Sequence, residues 1–285
     1  MNKGSIINLI ISLLLLAGCS SQTTDKKPIV AVTIQPQKYI VDRIVGDLID
    51  VVCAIPSGAN PEEFDATPHQ IREITSSDIY FEVGGLGFEE SLLPSILKNA
   101  PNIKLVKTAE GLEPLSTLCH HGGEHHLHYD PHYWSSPKCV KVMTENIYNQ
   151  IVELDAENSE YYTYNYNLFI SEIDSIDYVL TEKLKDVPNR QFAIFHPSLS
   201  YFARDYGLRQ LSLEQIGKEM TPLTMQRAIE EAVVNGVTTV FIQNEFNPRQ
   251  VETFAKEIDA QIVVINPLAY NFAEEIIKVA DAITR

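Results

Sequence analysis

The segment from Asn158 to Asp186 constrains the fold of this 285-residue chain more than any other. Its bulky residues recur every three or four positions, which is the spacing of one helix face. They are Tyr162, Tyr166, Phe169, Ile173, Ile176, Leu180 and Leu184. No Gly or Pro interrupts the pattern before Pro188, so we predict one helix of roughly 40 Å. Such a helix can cross two lobes and restrict hinge motion between them; a coiled-coil partner helix is the alternative.

Short β-branched or aromatic runs alternate with helix-like spacing on both sides of that segment. This alternation predicts parallel sheets covered by helices. The predicted strands are Ile29–Ile34, Val51–Ile55, Ile79–Val83, Ile103–Lys107, Phe192–Phe195, Gln210–Leu213, Thr239–Gln243 and Ile262–Ile265. The predicted helices are Tyr39–Val45, Gln70–Ile74, Phe88–Leu97, Met225–Val234 and Arg249–Ile258.

We therefore predict an α/β protein of two lobes, each a four-stranded, mostly parallel sheet with covering helices, joined by a long rigid backbone helix. The predicted boundaries are 29–156 for the N-terminal lobe, 157–187 for the linking helix and 188–285 for the C-terminal lobe. A hydrophobic content of 45% is ample for two such cores.

The N-terminus indicates the compartment. Lys3 precedes an apolar stretch, Ile6 to Leu16, which is shorter than the roughly 20 residues of a membrane span. The sequence Leu16-Ala17-Gly18-Cys19 that follows resembles the bacterial lipobox, which implies a signal peptide at 1–18 and a lipidated Cys19. An ordinary secretory signal with an incidental Cys is the alternative. Residues 19–28 have the composition of a flexible tether, so we expect a lipid-anchored protein of the bacterial cell envelope, facing the periplasm or the exterior.

The charge and the cysteines limit the partners. A formal net charge of −16 argues against nucleic acid as a partner. Three cysteines remain after Cys19, and an odd number leaves at least one thiol free. We expect Cys53, in an apolar run, to be a small buried hydrophobic residue. A disulfide between Cys119 and Cys139 and a metal-binding role for Cys119 both stay open.

Six of the eight histidines lie between His120 and His132. Neutral imidazole is a good ligand for Zn²⁺, and so dense a tract in a Gly-containing segment is hard to explain by packing. We predict that segment 119–129 is a mobile accessory metal-binding loop. Its histidines are His120, His121, His125, His126 and His128. A solvated polar loop or an expression tag is the alternative, although a tag normally lies at a terminus.

Ligands of α/β sheets bind outside the carboxyl ends of the strands. Three segments there carry candidate metal ligands: 56–69 after a predicted strand, 130–137 at the start of a helix, and 195–208, where His196 ends a strand. The glycine-rich run 84–87 lacks the spacing of a dinucleotide or phosphate-binding loop, so we interpret it as a turn.

The order of motifs resembles that of the metal-binding solute-binding lipoproteins of ABC transporters, the zinc and manganese group (cluster A-I). The matching motifs are the lipobox, Gly58-Ala59-Asn60-Pro61, the His-rich insertion, Asp130-Pro131-His132-Tyr133-Trp134, His196-Pro197 with Tyr201-Phe202-Ala203, Tyr206-Gly207-Leu208, Gly217-Lys218-Glu219 and Asn266-Pro267-Leu268. The resemblance covers nearly the whole chain after Cys19. It implies that His132 and His196, one from each lobe, bind the metal in the cleft.

Two positions depart from the family pattern. Glu62 occupies the usual position of the first histidine, and a carboxylate can also bind Zn²⁺. Glu63 and His69 are the alternatives to Glu62, although His69 has the setting of a surface residue. Asn266 stands where many members carry an acid, and a neutral amide is a poor zinc ligand. The predicted metal ligands are therefore Glu62, His132 and His196, with water, Asn266 or another residue in the fourth position.

The resemblance predicts a high-affinity extracytoplasmic protein, not an enzyme, that captures Zn²⁺ and delivers it to an ABC permease. Imidazoles favour Zn²⁺, whereas the carboxylate of Glu62 favours Mn²⁺, so a manganese-binding protein of the same family is the alternative. Two His, one carboxylate and water also describe a zinc-dependent hydrolase, although no His-Glu-x-x-His pair is present. A surface adhesin or metal-storage lipoprotein is a further possibility. We expect a monomer.

Overall fold

The computed structural model describes residues 27–121, 124–215 and 218–285. The side chains of residues 117–121, 124–128, 215 and 218–219 are outside the described part. The predicted signal peptide, the lipidation site Cys19 and most of the tether also lie outside the described residues. Within the part that is described, no helix has both the length and the apolar character needed to cross a bilayer.

Four short parallel strands form the sheet of the N-terminal lobe. They are β1 (Ile29–Val32), β2 (Asp50–Cys53), β3 (Ile79–Glu82) and β4 (Lys104–Lys107), in the order β2-β1-β3-β4. The two central strands are buried over nearly their whole length. Their continuous apolar character is typical of a parallel sheet with helices on both faces.

Five α-helices lie within the described residues of this half of the chain. They are α1 (Gln35–Val45), α2 (Pro68–Thr75), α3 (Gly87–Ser91), α4 (Leu93–Asn99) and α5 (Pro137–Leu154). The predicted single helix Phe88–Leu97 is wrong, because the chain breaks at Leu92 into α3 and α4. Pro94 explains the break, since proline lacks the N–H of a helix interior and is well suited to a first turn.

The His-rich segment is a β-hairpin in its backbone. Strands β5 (Ser116–His121) and β6 (Glu124–Tyr129) pair antiparallel, with Ser116 opposite Tyr129. The backbone of the predicted loop at 119–129 is thus more regular than expected, and its mobility and metal binding stay predictions. In sequence the two strands are separated by Gly122-Gly123, a dipeptide typical of two-residue hairpin turns, and the histidine composition obscured that signal. The accessory histidine side chains lie outside the described residues.

The long helix α6 runs from Ser159 to Leu184. Six of the seven predicted apolar-face residues are buried, and the seventh, Tyr166, is half-buried and stacks on Tyr148 of α5 with ring centroids 4.2 Å apart. Helix α6 packs against α1 and α5 of the N-terminal lobe and also against the last helix of the chain, Phe272–Ile283. One helix therefore contacts both lobes, as the periodicity predicted.

The C-terminal lobe repeats the design of the first. Its strands are β7 (Gln191–Ile194), β8 (Arg209–Ser212), a short antiparallel pair β9 (Glu214–Gln215) and β10 (Lys218–Glu219), β11 (Thr239–Gln243) and β12 (Gln261–Ile265). The main sheet is parallel in the order β12-β11-β7-β8. Its helices are α7 (Ser200–Asp205), α8 (Pro222–Val234), α9 (Arg249–Ile258) and α10 (Phe272–Ile283). The predicted fold class is confirmed.

Buried contacts join the two lobes. Nε1 of Trp134 donates to the carbonyl of Pro267 at 2.8 Å, and the Tyr201 hydroxyl donates to the carbonyl of Asp130 at 2.7 Å. A single apolar core extends through α6 from one sheet to the other. Opening the lobes would expose this core and leave buried hydrogen-bonding groups without partners. The cleft between the lobes is therefore held in one geometry.

Two thiols within the described residues are free, those of Cys53 and Cys139. Burial raises the pKa of Cys53 to about 12 and that of Cys139 to about 11, which makes both unreactive in the folded protein. Cys139 contacts the Arg204 guanidinium instead of a second sulfur, which argues against the disulfide alternative. The Cys119 side chain lies outside the described part.

We expect the Phe169→Ala variant to lower the free energy of unfolding by about 3–5 kcal/mol. Phe169 is fully buried on α6, edge-to-face with Tyr39 of α1 at 5.7 Å, and the Arg43 guanidinium lies 4.8 Å from its ring. Its neighbour Leu168 is 50% exposed, so Leu168→Ala is the matched control and should stay within about 0.5 kcal/mol of wild type. Urea unfolding measures both, and equal losses would contradict the packing of α6.

Candidate metal centre

His132 enters the cleft from the N-terminal lobe, in a position set by the residues before it. Asp130 Oδ1 accepts the backbone N–H of His132 at 2.9 Å and lies 2.8 Å from Nδ1 of the ring. Burial raises the pKa of the Asp130 carboxyl, but attraction and hydrogen bonds from His132 outweigh burial, and the pKa is lower than usual. Trp134 packs against the imidazole with ring centroids 5.1 Å apart, so the ring is buried and held on two sides.

His196 enters the cleft from the C-terminal lobe, two residues beyond the end of β7. Its Nδ1 lies 2.8 Å from Oε2 of Glu214, whose side chain is almost fully buried. The side-chain amide of Gln243 donates to the His196 carbonyl at 2.7 Å. Phe246 stacks on the imidazole, with centroids 5.5 Å apart and planes inclined by 20°. Two side chains of the C-terminal lobe therefore orient the ring, and Gln243 holds the backbone of His196.

The two carboxylates decide which nitrogen of each ring carries the proton. An ionised carboxylate only accepts hydrogen bonds, so Nδ1 of His132 donates to Asp130 and Nδ1 of His196 donates to Glu214. In the neutral rings the Nε2 lone pairs then face each other, with the nitrogens 3.2 Å apart. Two lone pairs at this distance repel each other, and a proton or a metal ion shared between them would remove the repulsion. Two imidazoles on a tetrahedral Zn²⁺ at about 2.0–2.1 Å would place their nitrogens about 3.3 Å apart.

A cavity of about 20 Å³ adjoins the imidazoles, which is room for one ion or one water molecule. Both lobes form its wall. The lining residues are Asn60, Pro61, Glu62, His132 and Trp134 on one side and His196, Ser198, Gln243, Glu245, Phe246, Pro267 and Leu268 on the other. A cavity this small suits a metal ion better than an organic ligand, which needs hundreds of cubic ångströms.

Glu62 lines the same cavity but is not yet turned toward the imidazoles. Its Oε2 accepts the backbone N–H of Gly87 at 3.1 Å. Gly87 has to be glycine, because a Cβ there would lie 2.6 Å from the Glu62 carbonyl oxygen. Among the described residues, no three His, Cys, Asp or Glu side chains lie close enough together to hold a metal ion. The structure thus brings His132 and His196 together and leaves Glu62 at the wall.

The alternative ligands considered from the sequence lie elsewhere. Glu63 is exposed and is not part of the cavity wall. His69 is exposed on α2, where its Nδ1 lies 3.0 Å from Glu73. The side-chain oxygen of Asn266 accepts the N–H of Leu268 at 3.2 Å, and Asn266 is likewise absent from the wall.

Sequence reasoning missed the residues that orient the imidazoles. Asp130 belongs to a quoted motif, yet no role was assigned to it. Glu214, which orients His196, and Glu245, which only lines the cavity, each follow the carboxyl end of a correctly predicted strand, β8 and β11 respectively. The rule that ligands lie at these ends would have marked both, had it been applied to acids as well as to histidines.

A buried carboxylate supports the loop on which Glu62 rests. Glu89 accepts hydrogen bonds from the backbone N–H groups of Val83 and Gly84 at 2.8 and 2.7 Å and from the Thr33 hydroxyl. Burial raises the pKa of Glu89 to about 7 despite these hydrogen bonds. Gly84 has a φ of 99°, so the glycine-rich run is the turn that the sequence indicated.

A larger groove of about 440 Å³ lies at the carboxyl end of the N-terminal sheet, between Gly85, Lys107 and Tyr129. Neither of the converging histidines lines it. We take the smaller cavity as the candidate site because the Nε2 atoms of His132 and His196 meet there.

Two α/β lobes fixed by one long helix, with paired imidazoles between them, define a solute-binding protein with a metal-binding cleft. The chain belongs to the family described as zinc-uptake complex component A, periplasmic, whose sequence model matches residues 30–283. This confirms the resemblance found in the sequence. The family consists of uptake components rather than enzymes, so the prediction that the chain is not an enzyme is confirmed and the zinc-hydrolase alternative is set aside.

Individual relatives include both zinc and manganese proteins. The high-affinity zinc uptake system protein ZnuA of Bacillus subtilis is 28% identical over 276 residues, covering 90% of this chain and 85% of that protein. The manganese ABC transporter substrate-binding lipoprotein PsaA of Streptococcus anginosus is 23% identical, covering 91% and 87%. A crystal structure of a ZnuA deletion mutant with zinc bound is 32% identical, with a TM-score of 0.83 over 91% of this chain and 97% of that one.

We expect Glu89→Gln to gain stability relative to wild type as the pH rises from about 4.5 to about 7. In this range the unfolded chain ionises Glu89 while the folded protein keeps it protonated, because its folded pKa is raised to about 7. Rising pH therefore lowers the unfolding free energy of wild type by about 3 kcal/mol, an effect that Gln lacks. Urea unfolding at several pH values measures the difference. The exposed neighbour Glu90→Gln is the control, and parallel profiles for Glu89→Gln and wild type would contradict the prediction.

Proposed function

We propose that this protein captures Zn²⁺ outside the cytoplasmic membrane and delivers it to an ABC permease. The observation that carries the proposal is the pair of Nε2 atoms, 3.2 Å apart, at the junction of two lobes. Each imidazole has its other nitrogen held by a carboxylate, which fixes the tautomer that binds metal and raises the basicity of the ligand. The names of the zinc-uptake relatives support the same function.

The proposed ligands are Glu62, His132 and His196. Because both imidazoles are already oriented, metal binding needs only the Glu62 side chain to turn from Gly87 toward the cavity that it lines. Two neutral imidazoles and one carboxylate suit Zn²⁺ in tetrahedral geometry. Protons compete for the same nitrogens, so binding weakens in acid.

Manganese is the second candidate, and one observation favours it. Glu62 puts an oxygen donor where the family often has a histidine, and Mn²⁺ prefers oxygen ligands. The likeness to a manganese-binding lipoprotein agrees with that alternative. We favour Zn²⁺ because the only donors that already converge within the described residues are nitrogens.

The remaining parts of the proposal concern the cell envelope. We propose that Cys19 carries acyl chains that hold a monomeric globule at the membrane, facing the periplasm or the exterior. The accessory histidines (His120, His121, His125, His126 and His128) would collect Zn²⁺ near the cleft or sense its saturation. Support comes from the lipobox, from the word lipoprotein in a relative's name, and from the envelope location in the family description.

Competitive metal titration of the metal-free protein, with Zn²⁺ and Mn²⁺, tests the cleft assignment. We expect one tight Zn²⁺ site that is lost in His132→Ala and His196→Ala, is weakened in Glu62→Ala and survives deletion of residues 119–129. His69→Ala is the matched control, because His69 is an exposed histidine outside the cavity and should bind as wild type does.

The same titration separates the alternatives. Tight binding that disappears only with residues 119–129 would place the metal in the hairpin and overturn the cleft site. If the protein binds Mn²⁺ more tightly than Zn²⁺, the result favours the manganese alternative.

We expect Glu214→Gln to weaken Zn²⁺ binding by about 10–100-fold, the usual loss when a carboxylate behind a ligating histidine is removed. The amide can turn its NH₂ group toward Nδ1 of His196, which would favour the wrong tautomer. The titration should be read beside urea unfolding, since loss of a merely structural contact would lower stability without a specific loss of affinity. Unchanged Zn²⁺ affinity in a folded variant would contradict the role of Glu214.

A further inference from the structure

Glu245 follows the end of β11 at the same edge of the sheet where His196 follows β7. The register, with Phe241 opposite Ile194, places Gln243 beside His196 and Glu245 two residues further along the chain. His196 lies two residues beyond the end of β7, and Glu245 lies two residues beyond the end of β11. These strands are parallel neighbours in the sheet, roughly 4.8 Å apart. Both residues therefore emerge at the same edge, and both line the small cavity together with Glu62 and His132.

The residues on either side of Glu245 are fixed to His196. Gln243 donates its side-chain amide to the His196 carbonyl at 2.7 Å, and its Oε1 accepts the His196 N–H. Phe246 stacks on the His196 ring. The backbone that carries Glu245 thus keeps a constant position relative to one proposed metal ligand, which is the condition for a pre-organised donor.

Glu245 itself is exposed and not committed elsewhere. Among the described residues it has no hydrogen bond or ion pair, in contrast to Asp130 and Glu214, whose carboxylates hold the imidazoles. Because no other group of the described protein holds this carboxylate, it is free to turn toward a cation in the cavity.

The proposed ligand set leaves a fourth position open. Glu62, His132 and His196 make three donors, whereas Zn²⁺ in closed sites takes four. Asn266 cannot fill the gap, because it is absent from the cavity wall and its oxygen accepts the N–H of Leu268.

We infer that Glu245 is the fourth metal donor, supplied by the end of β11 in place of an acid at Asn266. This inference rests on the proposed function. Donation requires rotation of the Glu245 and Glu62 side chains into the cavity, which their exposure at its wall permits. The metal would then have two nitrogen and two oxygen ligands, one of each from either lobe.

Glu245→Gln tests the inference, with Glu63→Gln as the matched control. Both variants remove one negative charge from an exposed glutamate, but only Glu245 lines the cavity. We expect Glu245→Gln to weaken Zn²⁺ binding by at least about 100-fold, more than is usual for a residue behind the ligands. Glu63→Gln should stay within about threefold of wild type. The visible absorption spectrum of the Co²⁺-loaded protein should change in Glu245→Gln and not in Glu63→Gln.

Three results would overturn the inference, and each is distinct. If Glu245→Gln and Glu63→Gln bind Zn²⁺ equally well while His132→Ala still loses binding, Glu245 is not a metal ligand and the proposed function stands. A loss in Glu245→Gln that vanishes in about 0.5 M salt, with an unchanged Co²⁺ spectrum, shows long-range attraction rather than ligation. Absence of a tight Zn²⁺ site in wild type removes both the proposed function and the inference that rests on it.

Discussion

The position of one lobe relative to the other is the constraint on which the site depends. His132 and His196 come from different sheets, yet their Nε2 atoms lie 3.2 Å apart, and a shift of one ångström between the lobes would separate or collide them. Helix α6 packs against helices of both lobes, and Trp134 and Tyr201 donate hydrogen bonds across the junction beside the histidines. Because separating the lobes would expose a continuous apolar core, it would cost much free energy. Capture and release of a metal therefore have to rely on small movements of side chains and loops.

The second requirement is electrostatic. Burying two carboxylates and two imidazoles costs free energy, and the pairs Asp130–His132 and Glu214–His196 offset only part of it. What the arrangement provides is orientation: each carboxylate fixes a tautomer and turns a lone pair toward the cavity. A shared cation would relieve the repulsion between the two nitrogens. The arrangement therefore serves metal binding more than stability, as is common at functional sites.

The predictions from the sequence agree with the structure mainly where residues close together in the chain specify an element. Strand Thr239–Gln243 and helix Arg249–Ile258 match the prediction residue for residue, because local periodicity specifies them. The break at Leu92 and the hairpin at Ser116–Tyr129 were missed, although Pro94 and Gly122-Gly123 were visible local signals. The extent of α5 and the whole of α10 were also missed. His132 and His196 were identified through motif resemblance, whereas the partners of their Nδ1 atoms, one of them 18 residues away in sequence, could not be found by spacing alone.

By itself, then, the sequence determined the two α/β lobes, the long helix between them, the histidines of the cleft and the family. These properties are carried by local patterns and by short motifs that can be recognised without coordinates. Only the tertiary structure decided which side chains meet: that Nε2 faces Nε2, that Glu214 holds His196, that Glu62 rests on Gly87, and that Glu245 rather than Asn266 stands at the cavity wall. The reason is that a ligand sphere joins residues from distant strands, and their distances depend on how sheets, helices and lobes pack together, which no local pattern encodes.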